Sequence, residues 1–203
     1  GFMVNVTDAR GNPPRKDPRG DISWLRDYQK LAVHKAIEKR NGLLWLPTGS
    51  GKTEIAIGLV NSIDCEWLFL VHRGTLVEQT ANRYKKRTGL TAGRVKSGKW
   101  TGTYKTEIRT LLSQVGGVIV DEAHTVGANT FRSITLSTVN AHYRIGLSDT
   151  PLQRTDNKAS FVVASLGPPI YRIPASSLIE QGVIAKPIIN MVKVRQESAK
   201  RPA

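Results

Sequence analysis

Cysteine is nearly absent: Cys65 is the single one in 203 residues. One thiol excludes an internal disulfide, and a thiolate metal cage needs more than one. Long apolar runs are missing too. None approaches the ~20 residues of a membrane span, and the first residues lack the apolar core of a secretory leader. Acidic residues are scarce, with 16 Asp+Glu against 30 Lys+Arg and a formal net charge of +14. That deficit points to a polyanionic partner, nucleic acid before an anionic membrane. The 39% of hydrophobic residues is ordinary for a globular chain and excludes wholesale disorder. A soluble cytoplasmic protein, with no membrane partner, is the expectation.

Three stretches differ in character. Residues 1–20 mix Gly11, Pro13, Pro14 and Pro18 with charges and little periodicity, which predicts a flexible basic arm. Residues 195–203 are polar and basic, and read as a linker. Between them, residues 21–194 alternate short apolar runs with helical patterns. Leu43–Leu46, Trp67–Val71, Val118–Val120 and Tyr143–Leu147 are predicted strands. Their nearly unbroken apolarity suits strands covered on both faces, as in a parallel sheet. Gln29, Val33, Ala36 and Ile37 share one helical face, as do Val77, Thr80, Ala81 and Tyr84. Thr75 and Glu78 stand in capping-box spacing and predict where the second helix starts. The alternation implies an α/β fold with a mostly parallel central sheet flanked by helices. In such sheets ligands bind beyond the carboxyl ends of the strands.

Two segments there carry chemistry. Leu46-Pro47-Thr48-Gly49-Ser50-Gly51-Lys52-Thr53 follows a predicted strand and precedes a predicted helix at 54–61. In a P-loop, glycines turn backbone N–H groups inward around phosphate oxygens, and the helix N-terminus adds positive dipole. Lys52 would reach the β- and γ-phosphates of ATP, and the Thr53 hydroxyl would ligate Mg²⁺. The strict pattern has Gly where Leu46 stands. A Gly-rich turn without chemical meaning is the alternative, which the strand before and the helix after argue against. The second segment is Val118-Ile119-Val120-Asp121-Glu122-Ala123-His124. Asp121 could hold the Mg²⁺ shell through water, and Glu122 could orient and deprotonate an attacking water. Alone, Asp-Glu after a strand also reads as a helix N-cap.

Together, LPTGSGKT and VIVDEAH resemble motifs I and II of superfamily 2 helicases of the DExH/DEAH type, specifically their first RecA-like motor domain. Further motifs follow in order. Arg26-Asp27-Tyr28-Gln29 resembles the Q-motif-like element, which implies that Gln29, with Arg26, reads adenine. Residues 71–79, with Arg73, Thr75 and Gln79, resemble motif Ia, which contacts the strand backbone. Gly102-Thr103-Tyr104-Lys105-Thr106 resembles motif Ib. Gly146-Leu147-Ser148-Asp149-Thr150-Pro151 resembles motif III, and residues 178–187 resemble the exit segment of a UvsW- and XPB-like branch. The resemblance implies that Pro47, Thr48, Gly49, Ser50, Gly51, Lys52 and Thr53 bind ATP. It implies Mg²⁺ on Thr53 and Asp121, and catalysis by Lys52, Asp121, Glu122 and His124. His124 with Ser148, Asp149 and Thr150 would couple hydrolysis to strand movement.

Motif III departs from the family's usual Ser-Ala-Thr at Asp149. That carboxylate is expected either to repel Asp121 and Glu122 or to pair with Arg144 or His124. Residues 98–102 are poor in apolar side chains, so a strand there should be short. From Arg83 to Arg109 there are nine Lys/Arg and one acid, Glu107, interleaved with Tyr84, Trp100 and Tyr104. This stretch reads as a strand-binding face with Lys99, Thr103, Tyr104 and Lys105, or as a solvated helix end and loop, Tyr84 joining the core. Nothing after motif III supplies motifs IV to VI. The second RecA-like domain with its arginine finger is thus missing from the chain, and this stretch alone should hydrolyse ATP slowly. The implied function is the motor domain of a nucleic-acid-dependent ATPase, helicase or translocase, on DNA in preference to RNA. The alternatives are the motor of an ATP-dependent restriction enzyme or remodeller, or a non-catalytic ATP- and nucleic-acid-binding module.

Overall fold

Apolar residues alternate between two faces of the sheet, and both faces are covered. The structure, a computed structural model, describes residues 10–15, 20–72, 74–93, 103–124, 129–150, 159–188 and 191. Its strands are β1 (Asn41–Trp45), β2 (Trp67–Leu70), β3 (Gly117–Asp121), β4 (Tyr143–Ser148) and β5 (Pro169–Arg172). They form one parallel sheet in the order β2-β3-β4-β1-β5. The helices are α1 (Asp27–Lys39), α2 (Lys52–Ser62), α3 (Gly74–Thr88), α4 (Thr103–Gln114), α5 (Asn129–Ser137), α6 (Ala159–Leu166) and α7 (Ala175–Glu180).

Leu44, Leu46, Ile119, Ile145 and Leu147 point into a core with Ala32, Val33 and Ala36 of α1 and Ile55 and Leu59 of α2. Their neighbours Leu43, Val118 and Val120 point the other way, into a second core with Val162 and Leu166 of α6. The period-2 alternation is therefore present but hidden, because both faces are apolar. Full burial of each leucine or isoleucine contributes about 1.5–3 kcal/mol relative to exposure.

Each of the four strands read from the sequence exists, with ends shifted by one or two residues. The strand β5 and the helices α4 to α7 were not anticipated. The last two strand residues of β5 are a charged one and a tyrosine whose hydroxyl donates to the Tyr28 carbonyl at 3.2 Å, a poor strand signature. One boundary is corrected: α3 begins at Gly74, so Thr75 lies inside its first turn and does not precede it. Tyr84 is half-buried. The described part of the N-terminal arm lies against the domain. Arg10 donates to the Ala141 carbonyl at 2.6 Å, and the Asp64 N–H donates to the Arg15 carbonyl at 3.1 Å. Both contacts sit at the amino ends of the strands. Residues 195–203 and the poorly apolar stretch 98–102 lie outside the described residues.

Gly117 shows how a missing side chain shapes the sheet. It pairs with Trp67 on one side and Tyr143 on the other. The Trp67 ring folds over it and meets the Tyr143 ring, centroids 5.8 Å apart. A Cβ at Gly117 would stand 2.4 Å from the Trp67 ring. Gly117→Ala is therefore expected to cost about 1–3 kcal/mol by overpacking. In urea denaturation, Gly117→Ala combined with Trp67→Leu should cost less than the sum of the two single changes.

Candidate functional site

The register places three strand ends at one level. Trp45 pairs with Ser148, and Leu147 pairs with Asp121. The loop after β1, the carboxylates after β3 and the turn after β4 consequently share one edge of the sheet.

The loop from Pro47 to Gly51 is held from behind. Its first fixed point is the Leu46 N–H, which donates to the Ser148 carbonyl at 2.9 Å. At its far end the Ser50 carbonyl accepts from the Tyr28 hydroxyl at 2.6 Å and from Gln29 Nε2 at 3.0 Å. Gln29 Oε1 in turn accepts the Arg26 N–H at 3.0 Å, closing the first turn of α1. Gln29 is only 4% exposed. The residue that the resemblance assigns to adenine thus has both ends of its amide engaged, one on the loop and one on its own helix. Tyr28 belongs to the same motif, but nothing in the sequence marks its hold on Ser50. A tyrosine at helical spacing reads as core packing, and Tyr28 also serves there.

Gly49 and Gly51 have φ of 83° and 79°. Gly51 precedes α2 directly, and a Cβ there would lie 2.5 Å from Gln29 Nε2. Backbone angle and space both require glycine. Lys52 opens α2 and Thr53 follows it in the same turn. The Lys52 ammonium is buried without a hydrogen-bond partner. Glu122 Oε1 is 3.8 Å away. A buried, unsatisfied ammonium at a helix start beside two left-handed glycines fits a phosphate group. Pro47, Thr48 and Ser50 complete the loop. The Ser50 hydroxyl is also buried and unpartnered.

At the end of β3, Asp121 is half-buried. Burial, then the neighbouring Glu122 charge, pushes its carboxyl above the ordinary 3.8, against the Glu122 N–H and the charges of Lys52 and His124. That N–H donates to Asp121 Oδ1 at 3.0 Å. Glu122 itself has φ 52°, a backbone conformation that costs a non-glycine residue energy and swings its side chain toward Lys52. His124 Nδ1 lies 3.4 Å from Glu122 Oε2 and 3.1 Å from Ser148 Oγ. Ser148 Oγ also accepts the Thr150 N–H at 3.3 Å. The residues implied as catalytic and coupling groups therefore do come together.

Asp149 does not reach Arg144, whereas one of its carboxylate oxygens lies within 4.8 Å of a His124 ring nitrogen. Arg144 stands at the foot of β4, five residues away, or ~16 Å along an extended strand. Its guanidinium donates to the Thr135 and Thr138 carbonyls at 2.7 and 2.6 Å, capping the end of α5. Asp149 instead accepts from the Thr48 hydroxyl at 3.0 Å and the Thr150 hydroxyl at 3.2 Å. Burial raises its carboxyl, but Lys52 and these two hydroxyls outweigh that and hold it below the ordinary value.

Of the expected strand-binding residues, Thr75 and Gln79 are exposed on α3. Thr103, Tyr104 and Lys105 belong to the first turn of α4, whereas Arg73 and Lys99 lie outside the described residues. Part of the basic stretch is committed elsewhere. Arg87 and Arg83 reach Glu54 of α2 at 2.9 and 3.7 Å, and Arg87 lies 5.8 Å from the Trp24 ring centroid. Ile184, in the segment after α7, stands 3.5 Å from where a Gly49 Cβ would be. None of these contacts is legible in the sequence, since no spacing rule joins residues so far apart. Cys65 is half-buried, its thiol pushed up to about 12 by burial and the nearby Glu66 and Asp64, which suits no nucleophile. Among the described residues, no helix is long and apolar enough to cross a membrane.

A parallel sheet with helices on both faces and a glycine loop after β1 is a RecA-like architecture, and the relatives that follow make it a first RecA-like domain of the superfamily 2 helicase class, near the UvsW and XPB branch. The chain belongs to the family described as "Type III restriction enzyme, res subunit", which matches residues 23–153. It is 30% identical over 178 residues to the DNA 3'-5' translocase XPB2 of Sulfurisphaera tokodaii, covering 83% of this chain and 39% of that protein. It is 31% identical over 184 residues to the putative DNA 3'-5' helicase Rad25 of Haloarcula marismortui, covering 82% of this chain and 29% of that protein. The chain thus spans less than half of these relatives. Its fold is similar to that of the UvsW helicase from bacteriophage T4, with TM-score 0.58 and 23% identity. That match covers 72% of this chain and 59% of the other.

The charged form of Asp121 is disfavoured in the folded state, so it weakens the ligand-free protein at neutral pH. The penalty is fully present above the raised folded value and absent below about 3.8. Asp121→Asn should therefore raise the melting temperature at pH 7, with the gain shrinking as the pH falls toward that ordinary value. Thermal melts of both proteins at several pH values check this.

Proposed function

We propose that the chain is the ATP-binding motor domain of a DNA-dependent ATPase, a helicase or translocase. The buried, unpartnered Lys52 ammonium facing Glu122 across the P-loop is the observation that carries this reading. The backbone of residues 47–51 would cradle the phosphates of ATP, and Lys52 would neutralise them. Thr53 and Asp121 would hold Mg²⁺, which supplies charge neutralisation on the phosphate oxygens. Glu122 would orient the attacking water and take its proton, a role its contacts with Lys52 and His124 suit. His124 would pass the state of that site to Ser148 and Thr150 through the 3.1 Å contact. Gln29, bonded to Ser50 of the loop, and Arg26, at the start of the same helix, would read adenine as the resemblance implies.

The names of the relatives favour DNA over RNA as partner. The strand path proposed here runs over Arg73, Thr75, Gln79, Lys99, Thr103, Tyr104 and Lys105. A second RecA-like domain, supplied from outside this stretch, would bring the arginine finger, worth about 10³–10⁵ in rate. The site of action would be intracellular nucleic acid. A second reading, the motor of an ATP-dependent restriction enzyme, is favoured by the family's description. Nuclease activity of the whole protein would distinguish it.

An ATP analogue with Mg²⁺ should raise the melting temperature of the 203-residue chain, by about 2.7 kcal/mol of stability at a hundredfold excess over Kd. Lys52→Ala should abolish the shift. Equal shifts in both proteins would remove the P-loop assignment. In the whole protein, Glu122→Gln should retain nucleotide binding and lose DNA-stimulated turnover.

Strand binding should be strongly salt-dependent, each phosphate contact contributing about −0.7 to the slope of log affinity against log salt. Replacing Lys99 and Lys105 by Ala should flatten that slope by roughly one unit or more, with nucleotide affinity unchanged. An unchanged slope would assign both lysines to a solvated surface.

A further inference from the structure

Asp149 has no counterpart in the Ser-Ala-Thr form of motif III, and the fold brings it to the phosphate loop. Its Oδ2 accepts the Thr48 hydroxyl, a contact between residues 101 apart in sequence. Its Oδ1 accepts from Thr150. One carboxylate oxygen of Asp149, one of Glu122 and a ring nitrogen of His124 lie within 4.8 Å of one another. With Asp121 at the end of β3, three carboxylates among the described residues stand round the edge of the sheet that holds the buried Lys52 ammonium.

This arrangement has an electrostatic consequence. In the ligand-free chain Asp149 is satisfied by two hydroxyls and by the positive charge of Lys52. A nucleoside triphosphate takes Lys52 for its own oxygens. Asp149 then faces the phosphates with its compensating charge diverted, in a half-buried place where like charges interact more strongly than in water. A divalent cation on the phosphates offsets that repulsion. With alanine at this position the repulsion would be absent.

Resting on the nucleotide-binding reading above, we propose that Asp149 is a specificity-determining residue that makes the site select the metal complex of a nucleoside triphosphate over the free anion. It does so by charge, and its link to Thr48 is what keeps that charge aimed at the loop. The side chain ties the turn after β4 to the phosphate loop, so the carboxylate cannot swing into solvent without breaking a hydrogen bond.

The test is the affinity of the 203-residue chain for a fluorescent ATP analogue, measured by titration in Mg²⁺ and again in EDTA. The readout is the ratio of the two dissociation constants. Asp149→Asn keeps an oxygen that can accept from Thr48 but removes the charge, and Asp149→Ala removes both. Melting curves of the ligand-free variants report that each is folded. The ratio should be about tenfold or more in the parent chain and should fall at least about threefold in both variants, mainly through tighter binding in EDTA. A ratio unchanged in Asp149→Asn overturns the proposal, as does a fall confined to Asp149→Ala, since the hydrogen bond and not the charge would then act. Failure of the parent chain to bind the analogue in Mg²⁺ would overturn the nucleotide-binding reading itself, and this proposal with it.

Discussion

The parallel register of β3, β4 and β1 ends three strands at one level, and every functional contact described above depends on it. Trp45, Ser148 and Asp121 finish side by side. A shift of one residue in any of the three would turn the cores inside out as well as separate the loops. Leu43 and Leu44, or Val118 and Ile119, belong to opposite faces, so packing on both sides penalises slippage. The same burial that stabilises the domain thus aligns its chemistry. The loop after β1 is then fastened at both ends, by Ser148 at Leu46 and by Tyr28 and Gln29 at Ser50.

Polar groups at this edge form a ring that begins and ends on the loop. Thr48 reaches Asp149, and Asp149 reaches Thr150. Ser148 reaches His124, His124 approaches Glu122, and Glu122 approaches Lys52. Lys52 is the unsatisfied member. A buried ammonium without a hydrogen bond is costly, and the strained backbone of Glu122 is a second cost concentrated at the same place. Stability given up at a site of this kind is the expected signature of a place organised for a ligand and not for the fold. The helix that follows the loop also connects outward, through Glu54 to Arg83 and Arg87 of α3.

Much of this was legible in the sequence because local signals agreed. The four apolar runs became strands, and the glycines at 49 and 51 carry the positive φ that a phosphate loop would require. The acidic pair after β3 sits beside Lys52 as its position after an apolar run implied. Elsewhere the local signal was weak or misleading. The Thr75 and Glu78 spacing suggested a cap, yet α3 starts one residue earlier. The four residues of β5 carry little apolar pattern of their own, and pairing with β1 makes them a strand. The basic stretch looked uniformly available for phosphates, whereas Arg83 and Arg87 are drawn to Glu54.

What the sequence alone determined was the set of chemical groups and their order: the glycines, Lys52 and Thr53 after one strand, Asp121 and Glu122 after another, Ser148 to Thr150 after a third. Periodicity and turn chemistry act over a few residues, so these could be read without coordinates. Tertiary structure alone decided which of those groups meet. It engaged the Gln29 amide on Ser50, committed Arg144 to the end of α5, and brought Asp149 to Thr48 across 101 residues. Such pairings depend on strand order and register, which arise from packing both faces of the sheet at once and leave no periodic trace in the chain.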